Sequence, residues 1–268
     1  MPLELEQADT SPLCWGLRWR IRNQPVLADV VARLVLGEHL HARRIIERAT
    51  SPARNPTDPD IDNATAKLRN RSTQDPWHRD GWIMQLISWV AVYLRSQPSC
   101  TVRAPQPRMA DKGFDGMVIE LPSTGPIVVT VCEDKATGNP RDTFRDDVLP
   151  ELRRFEAGLR DSELLNDLTS LLQTTPGLEV ETMIATLDWA QTRRYRVALT
   201  VTTEGDSVQT RAALFRGYDD AVGGATIRRC GETFRLDALR DWMDEFCADV
   251  IERLEQLRPS RNVRSSNG

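Results

Sequence analysis

Asp115 and the triplet Glu133-Asp134-Lys135 put two carboxylates and an ammonium at the ends of two neighbouring β-rich runs. The runs are Phe114 to Leu121 and Ile127 to Cys132, and Pro122-Ser123-Thr124-Gly125 between them has turn composition. Antiparallel pairing centred on Thr124 sets Asp115, nine residues before the centre, opposite Glu133, nine after it. Cross-strand partners have Cβ atoms about 4.5–5.5 Å apart. Side chains alternate along a strand, so Glu133 and Lys135 share one face and Asp134 points to the other. Both carboxylates and the ammonium are therefore predicted to converge at the open end of a hairpin.

Cleavage of a phosphodiester needs such a set. Magnesium takes one or two protein carboxylates and keeps several waters. The bound ion polarises the phosphate, helps deprotonate water and stabilises charge on the leaving oxygen. A compact ammonium beside it can orient or help deprotonate the attacking water, and a lysine can shift its pKa where an arginine cannot. Composition singles this lysine out. Of 35 basic side chains only Lys67, Lys112 and Lys135 are lysine, so arginine is the default cation. A Glu-x-Lys triplet alone is a weak signal; its place at a strand end, facing Asp115, gives it weight.

The elements that must position these residues follow from periodicity. Residues 25–48 are predicted as one helix with Val30, Leu34, Leu36 and Ile45 in its apolar stripe. Residues 50–76, with Pro52, Pro56, Pro59 and Pro76, are predicted as a loop or linker. Trp82 to Leu94 is apolar nearly all round, with Gln85 and Ser88 as its polar interruptions, which predicts a buried helix. A strand is expected at Cys100–Ala104. After Lys135, Asn139-Pro140 has N-cap chemistry, and Phe144, Val148, Leu152, Phe155 and Leu159 mark one helix face. Tyr195–Thr203, Thr210–Phe215 and Thr226–Cys230 are expected as strands, and 236–257 as a final helix. The order helix, strand, strand, strand, helix, strand predicts an α/β core with a mixed sheet.

At this point the pattern resembles the restriction-endonuclease-like, PD-(D/E)xK nuclease superfamily: Asp115, then Glu133-Asp134-Lys135 closing the next strand. The resemblance spans roughly residues 78–203. It implies a restriction-endonuclease-like core with N- and C-terminal helical additions. The division would be 1–76, an N-terminal helical segment and linker; 77–257, the nuclease domain; and 258–268, a disordered tail. It implies that Asp115 and Glu133 bind Mg2+, with Mn2+ as a substitute, and that Lys135 positions the nucleophile. Many such nucleases carry an acid or glutamine on the first core helix. Gln85 is the candidate, as a glutamine rather than a glutamate, and an amide in an apolar helix is costly unless hydrogen-bonded. The expected activity is endonucleolytic cleavage of DNA. The alternative is a degenerate module of the same fold that binds nucleic acid or protein.

Charge shapes the expected partners. A net charge of −4 and an isoelectric point near 5.6 give little non-specific attraction to phosphate. This points to a nuclease subunit controlled by a protein such as an NTPase or helicase, as in bacterial antiphage systems, with the helices at 25–48 and 236–257 as docking surfaces. Arg141 with Arg145, and Arg193-Arg194-Tyr195-Arg196, are candidate phosphate contacts, unless they pair with nearby acids such as Asp142 and Asp146. Trp82, Trp89, Trp189 and Trp242 are expected in the core, and His78 at a helix start. Five scattered cysteines, no apolar run of membrane-spanning length and an acidic N-terminus suggest a cytoplasmic setting.

Overall fold

The structure, a computed structural model, describes residues 1–50, 52–69, 77–96, 99–106, 113–123 and 125–259. The expectations placed on Thr124, Lys112, Pro76 and the tail from 260 lie outside the described residues.

The strands are β1 (Leu3–Gln7), β2 (Leu17–Ile21), β3 (Cys100–Val102), β4 (Gly116–Glu120), β5 (Val128–Lys135), β6 (Arg193–Val201) and β7 (Arg229–Arg235). They form one mixed sheet in the order β1-β2-β7-β6-β5-β4-β3. The pairs β1–β2, β3–β4 and β4–β5 are antiparallel, whereas β2–β7, β7–β6 and β6–β5 are parallel. Ahead of the β4–β5 hairpin come α1 (Gln24–Val35), α2 (His39–Glu47), α3 (Asp58–Arg69) and α4 (Trp77–Arg95). From β5 to β6 the chain runs through α5 (Pro140–Thr143), a π-helical turn (Phe144–Val148), α6 (Leu149–Glu156), α7 (Asp161–Gln173), α8 (Val180–Ala185) and α9 (Trp189–Thr192). Two helices, α10 (Val208–Leu214) and α11 (Tyr218–Ala221), connect β6 to β7, and α12 (Leu239–Gln256) follows β7. The expected α/β class with a mixed, helix-flanked sheet is present.

Side-chain alternation splits the interior into two cores. Val118, Cys132, Ala198 and Phe234 face α1, α3, α4 and α12. Met117, Val131, Tyr195 and Val197 face Phe144, Leu152, Phe155 and Leu164. β6 is buried along almost its whole length, as expected of a central parallel strand covered on both faces. Each fully buried apolar side chain contributes roughly 1.5–3 kcal/mol. The π turn precedes Pro150, whose ring nitrogen cannot donate back into the helix, and the Leu149 N–H closes on the Phe144 carbonyl instead.

Six expectations need correction. The helix over 25–48 is two helices, broken where Gly37 adopts a left-handed φ of 76°. The linker over 50–76 holds α3. Thr57 and Asp60 cap its start reciprocally, at 2.9 Å and 3.3 Å, and Ile61, Ala64 and Leu68 are its buried stripe. The strand expected at Thr210–Phe215 is α10, which Ser207 and Thr210 open with a capping box. Thr226–Arg228 is a 3-10 turn, and the strand begins only at Arg229. The N-terminal segment is not helical alone: β1 and β2 join the same sheet, with Leu3, Leu5, Leu17, Trp19 and Ile21 alternating with polar residues. Gly16 passes so close to β7 that a Cβ there would lie 1.7 Å from the Gly231 carbonyl oxygen. Arg258, where the tail was expected to start, is tied to Glu255 and to Asp62 of α3.

Candidate active site

The β4–β5 ladder pairs Glu120 with Val128 and ends with Gly116 opposite Cys132. One step further along this register stand Asp115 and Glu133, the pair expected from symmetry about Thr124. The Asp115 N–H continues the ladder by donating to the Cys132 carbonyl at 3.1 Å. Phe114 anchors the approach: it is buried, and its ring meets Phe155 edge-on with centroids 6.4 Å apart.

Each charged group has a defined partner. One oxygen of Asp115 accepts from the Asp134 backbone N–H at 2.7 Å, and the other accepts from the Gln85 amide. Lys135 Nζ lies 2.5 Å from Glu133 Oε1. The lysine side chain is 32% exposed and the glutamate 12%, so the pair sits at the mouth of the site rather than deep within it. Asp134 projects to the opposite face, as alternation requires, where Ser88 Oγ donates to it at 2.6 Å and Arg196 at 2.9 Å. Gln85 and Ser88, the polar interruptions of the apolar run Trp82–Leu94 within α4, lie one turn apart and both turn toward the end of β5. The tryptophans of α4 secure the neighbouring chain. Trp82 donates to the Gln106 carbonyl and Trp89 to the Arg103 carbonyl, each at 3.0 Å.

The electrostatics follow from this crowding. Burial first, and then the facing Glu133 carboxylate, push the Asp115 carboxyl well above the usual carboxylate range, against the pull of Lys135. Burial would lower the Lys135 ammonium, but Glu133 and Asp115 outweigh it and hold the group above its ordinary value. Lys135 is therefore a cation at neutral pH in this arrangement. Asp134 is also raised by burial, with Arg196 and Ser88 opposing.

Among the described residues, no group of three or more His, Cys, Asp or Glu side chains is placed to hold a metal. Two carboxylates are nonetheless enough for magnesium, which favours hard oxygen donors and keeps much of its water. The facing carboxylates of Asp115 and Glu133 put two negative charges on one side of the strands, which a divalent cation would offset. Asp115 and Glu133 thus fit that ion by donor chemistry.

The arginine candidates lie elsewhere in the economy of the fold. Arg141 donates to the carbonyls of Leu214 and Arg216 at 2.9 Å and 2.8 Å. Arg145 is paired with Asp142 and Asp146. Arg193 is buried against Asp161, and Arg194 lies 3.9 Å from Glu120. Arg196 is completely buried between Asp134 and Glu232. Arg193 and Arg196 are therefore buried in ion pairs while Arg194 stays partly exposed, and period-2 alternation sends the members of the run to different faces, so they do not form one continuous basic track. The two helices expected as docking surfaces pack against each other along one face: Gln24 of α1 bonds Asp249 of α12 at 2.7 Å, and Trp242 donates back to Gln24 at 3.1 Å. Sequence reasoning missed Arg160, which pairs with Glu163 at 2.6 Å and contributes positive charge near Glu133. Its preceding glycine, Gly158 with φ 75°, was the available sign of a tight turn there.

Among the described residues, no helix is long and apolar enough to cross a membrane. Comparisons with protein-family models, with curated proteins and with solved structures find no match to this chain.

Proposed function

We propose that this chain is a magnesium-dependent endonuclease of the PD-(D/E)xK type, with a restriction-endonuclease-like core, that hydrolyses phosphodiester bonds of DNA. The observation that carries the reading is the convergence of Asp115, Glu133, Lys135 and Gln85 at the open end of the β4–β5 hairpin. The order α4, β3, β4, β5, helices, β6 adds support, since β5 carries the motif between an antiparallel and a parallel neighbour.

Asp115 and Glu133 would hold the metal, which when bound supplies Lewis-acid polarisation of the phosphate and stabilises charge on the leaving oxygen. Gln85 and the Asp134 N–H fix both oxygens of Asp115 and so pre-set its orientation. Lys135, held as an ammonium by Glu133, orients the attacking water or a phosphate oxygen as a donor. Because Arg193 and Arg196 are buried in ion pairs, Arg145 is matched by two exposed acids and the chain carries −4 net charge, DNA engagement is assigned to a complex. In that complex a partner such as an NTPase or helicase delivers substrate, as in a bacterial defence assembly.

A second reading is a degenerate module of the same fold that binds DNA or protein. It is favoured by one observation: protein groups alone already satisfy both Asp115 oxygens. Incubation with plasmid, linear and single-stranded DNA, in magnesium or in EDTA, separates the two. Metal-dependent cleavage that Asp115→Ala and Glu133→Ala both abolish is the expected result. Cleavage that survives either substitution refutes the assignment of this site, and no cleavage in any metal, with or without partners, favours the second reading.

A further inference from the structure

The residue between Glu133 and Lys135 is buried, charged and wired through the sheet. Asp134 accepts from Ser88 of α4 and from Arg196 of β6. The same Arg196 nitrogen donates to Ser88 Oγ at 2.8 Å, closing a three-membered ring of contacts. Its other terminal nitrogen reaches Glu232 of β7 at 2.5 Å, and Glu232 lies 3.6 Å from Arg95 at the end of α4. Arg196 and Glu232 are 0% exposed and Asp134 is 4% exposed at its side chain. A buried ion chain of this kind is often no better for stability than well-packed apolar residues. It restricts the positions of its members, however, because both terminal nitrogens of Arg196 and the Ser88 hydroxyl are committed to named acceptors.

Its position gives the chain an effect on the site. The side chain of Asp134 belongs to this network, but its backbone N–H, on the other side of the strand, holds Asp115 Oδ2. The neighbouring residue on α4's polar stripe, Gln85, holds the second oxygen of Asp115. Helix α4 thus grips Asp115 twice, directly through Gln85 and indirectly through Ser88 and Asp134.

We propose that Ser88 and Arg196 are positioning residues for Asp115, acting through Asp134, and that residue 134 is therefore specified rather than free. This rests on the nuclease reading for its kinetic consequence, though not for its structural one. Groups that orient a metal ligand from behind typically contribute about 10- to 100-fold in metal affinity or activity.

The test uses the full chain, with its partner if cleavage requires one, and three variants: Ser88→Ala, Asp134→Asn and, as a control, Asp206→Asn. Asp206 belongs to a separate buried pair with Arg211 on the β7 side, so its loss should lower stability without touching the site. Ser88→Ala and Asp134→Asn should lower kcat, or raise the magnesium concentration for half-maximal rate, about 10-fold with KM for DNA little changed. The control should keep wild-type values at temperatures where it is folded. Independently of cleavage, exchange of the Asp134 amide measured by NMR in EDTA should accelerate in Ser88→Ala and stay at the wild-type rate in the control. Wild-type kinetics together with unchanged Asp134 exchange in Ser88→Ala would overturn the proposal. So would losses in the control equal to those in Ser88→Ala, which would mark a purely structural role. If the wild-type chain cleaves nothing, the nuclease reading fails, and the amide exchange alone decides positioning.

Discussion

Replacing Asp115 by asparagine should make the metal-free protein more stable while removing its response to magnesium. Asp115 and Glu133 are adjacent on the β4–β5 register, about 5 Å apart by cross-strand geometry. At an effective dielectric constant of about 20 their repulsion is about 332/(20 × 5), or 3 kcal/mol. Asparagine keeps an acceptor for Gln85 or the Asp134 N–H, but gives up part of the attraction to Lys135 and the charge-assisted part of those bonds. A net gain of about 1 kcal/mol remains, which in a chain of this size is roughly 2–4 °C in melting temperature. The sign of the pH dependence agrees. Asp115 is raised above its unfolded value by burial and by Glu133, so wild-type stability should increase as pH falls through that raised pKa toward the unfolded one. The variant should lack this increment. Magnesium should stabilise the wild type in proportion to RT ln(1 + [Mg]/Kd) and leave the variant's melting temperature where EDTA leaves it. Thermal melts across pH in EDTA and in a magnesium series measure all three. A variant less stable than wild type in EDTA at pH 7 would refute the reasoning, since Lys135 and the hydrogen bonds would then outweigh the repulsion.

Other outcomes follow from the same geometry. Lys135→Arg should lose nearly as much cleavage as Lys135→Ala, because a bulkier planar guanidinium spreads its charge and pairs with Glu133 as a fork instead of presenting a compact, rotatable donor to the water; near-wild-type rates in the arginine variant would show that charge alone is enough. Gln85→Leu should lower kcat at least several-fold with a stability change within about 1 kcal/mol, since it frees one oxygen of Asp115 while adding apolar burial on α4; equal losses in kcat and folding would count against a role in the site. Burial alone would raise Glu156, yet its bonds from Arg228 and Tyr195 hold it below 4.5. Glu156→Gln should therefore cost about 1–3 kcal/mol at neutral pH in urea titrations, and the difference should vanish as pH falls below that range.

The hairpin was legible because its signals are local. Two β-branched runs and a turn define a register, and the register alone pairs Asp115 with Glu133. Alternation likewise placed Asp134 on the far face. β7 was misjudged at its start because Arg229-Cys230-Gly231-Glu232 lacks an apolar run; its glutamate is buried only because Arg196, far away in sequence, meets it. The arginine run at 193–196 misled for the same reason, since its partners Asp161, Asp134 and Glu232 lie on other elements. β1, β2 and α3 were different: alternation in Leu3–Gln7 and Leu17–Ile21, and the Thr57–Asp60 capping pair, were present in the sequence and were passed over amid charged or proline-rich surroundings.

The pairing of β2 with β7 joins Trp19 to Phe234, so one seam of the sheet spans most of the polypeptide. On a ribosome making about 5–20 residues per second, β2 waits on the order of tens of seconds for its neighbour, while a hairpin such as β4–β5 can close in about 1–10 μs. During that interval β2 lacks its β7 neighbour, and over the last 36 residues of it Arg196 has Asp134 but not yet Glu232. The nascent chain thus holds an incomplete charge chain behind a formed hairpin. Arrival of β7 covers that edge and brings Glu232 to the second terminal nitrogen of Arg196, so completion of the sheet also completes the buried charge chain.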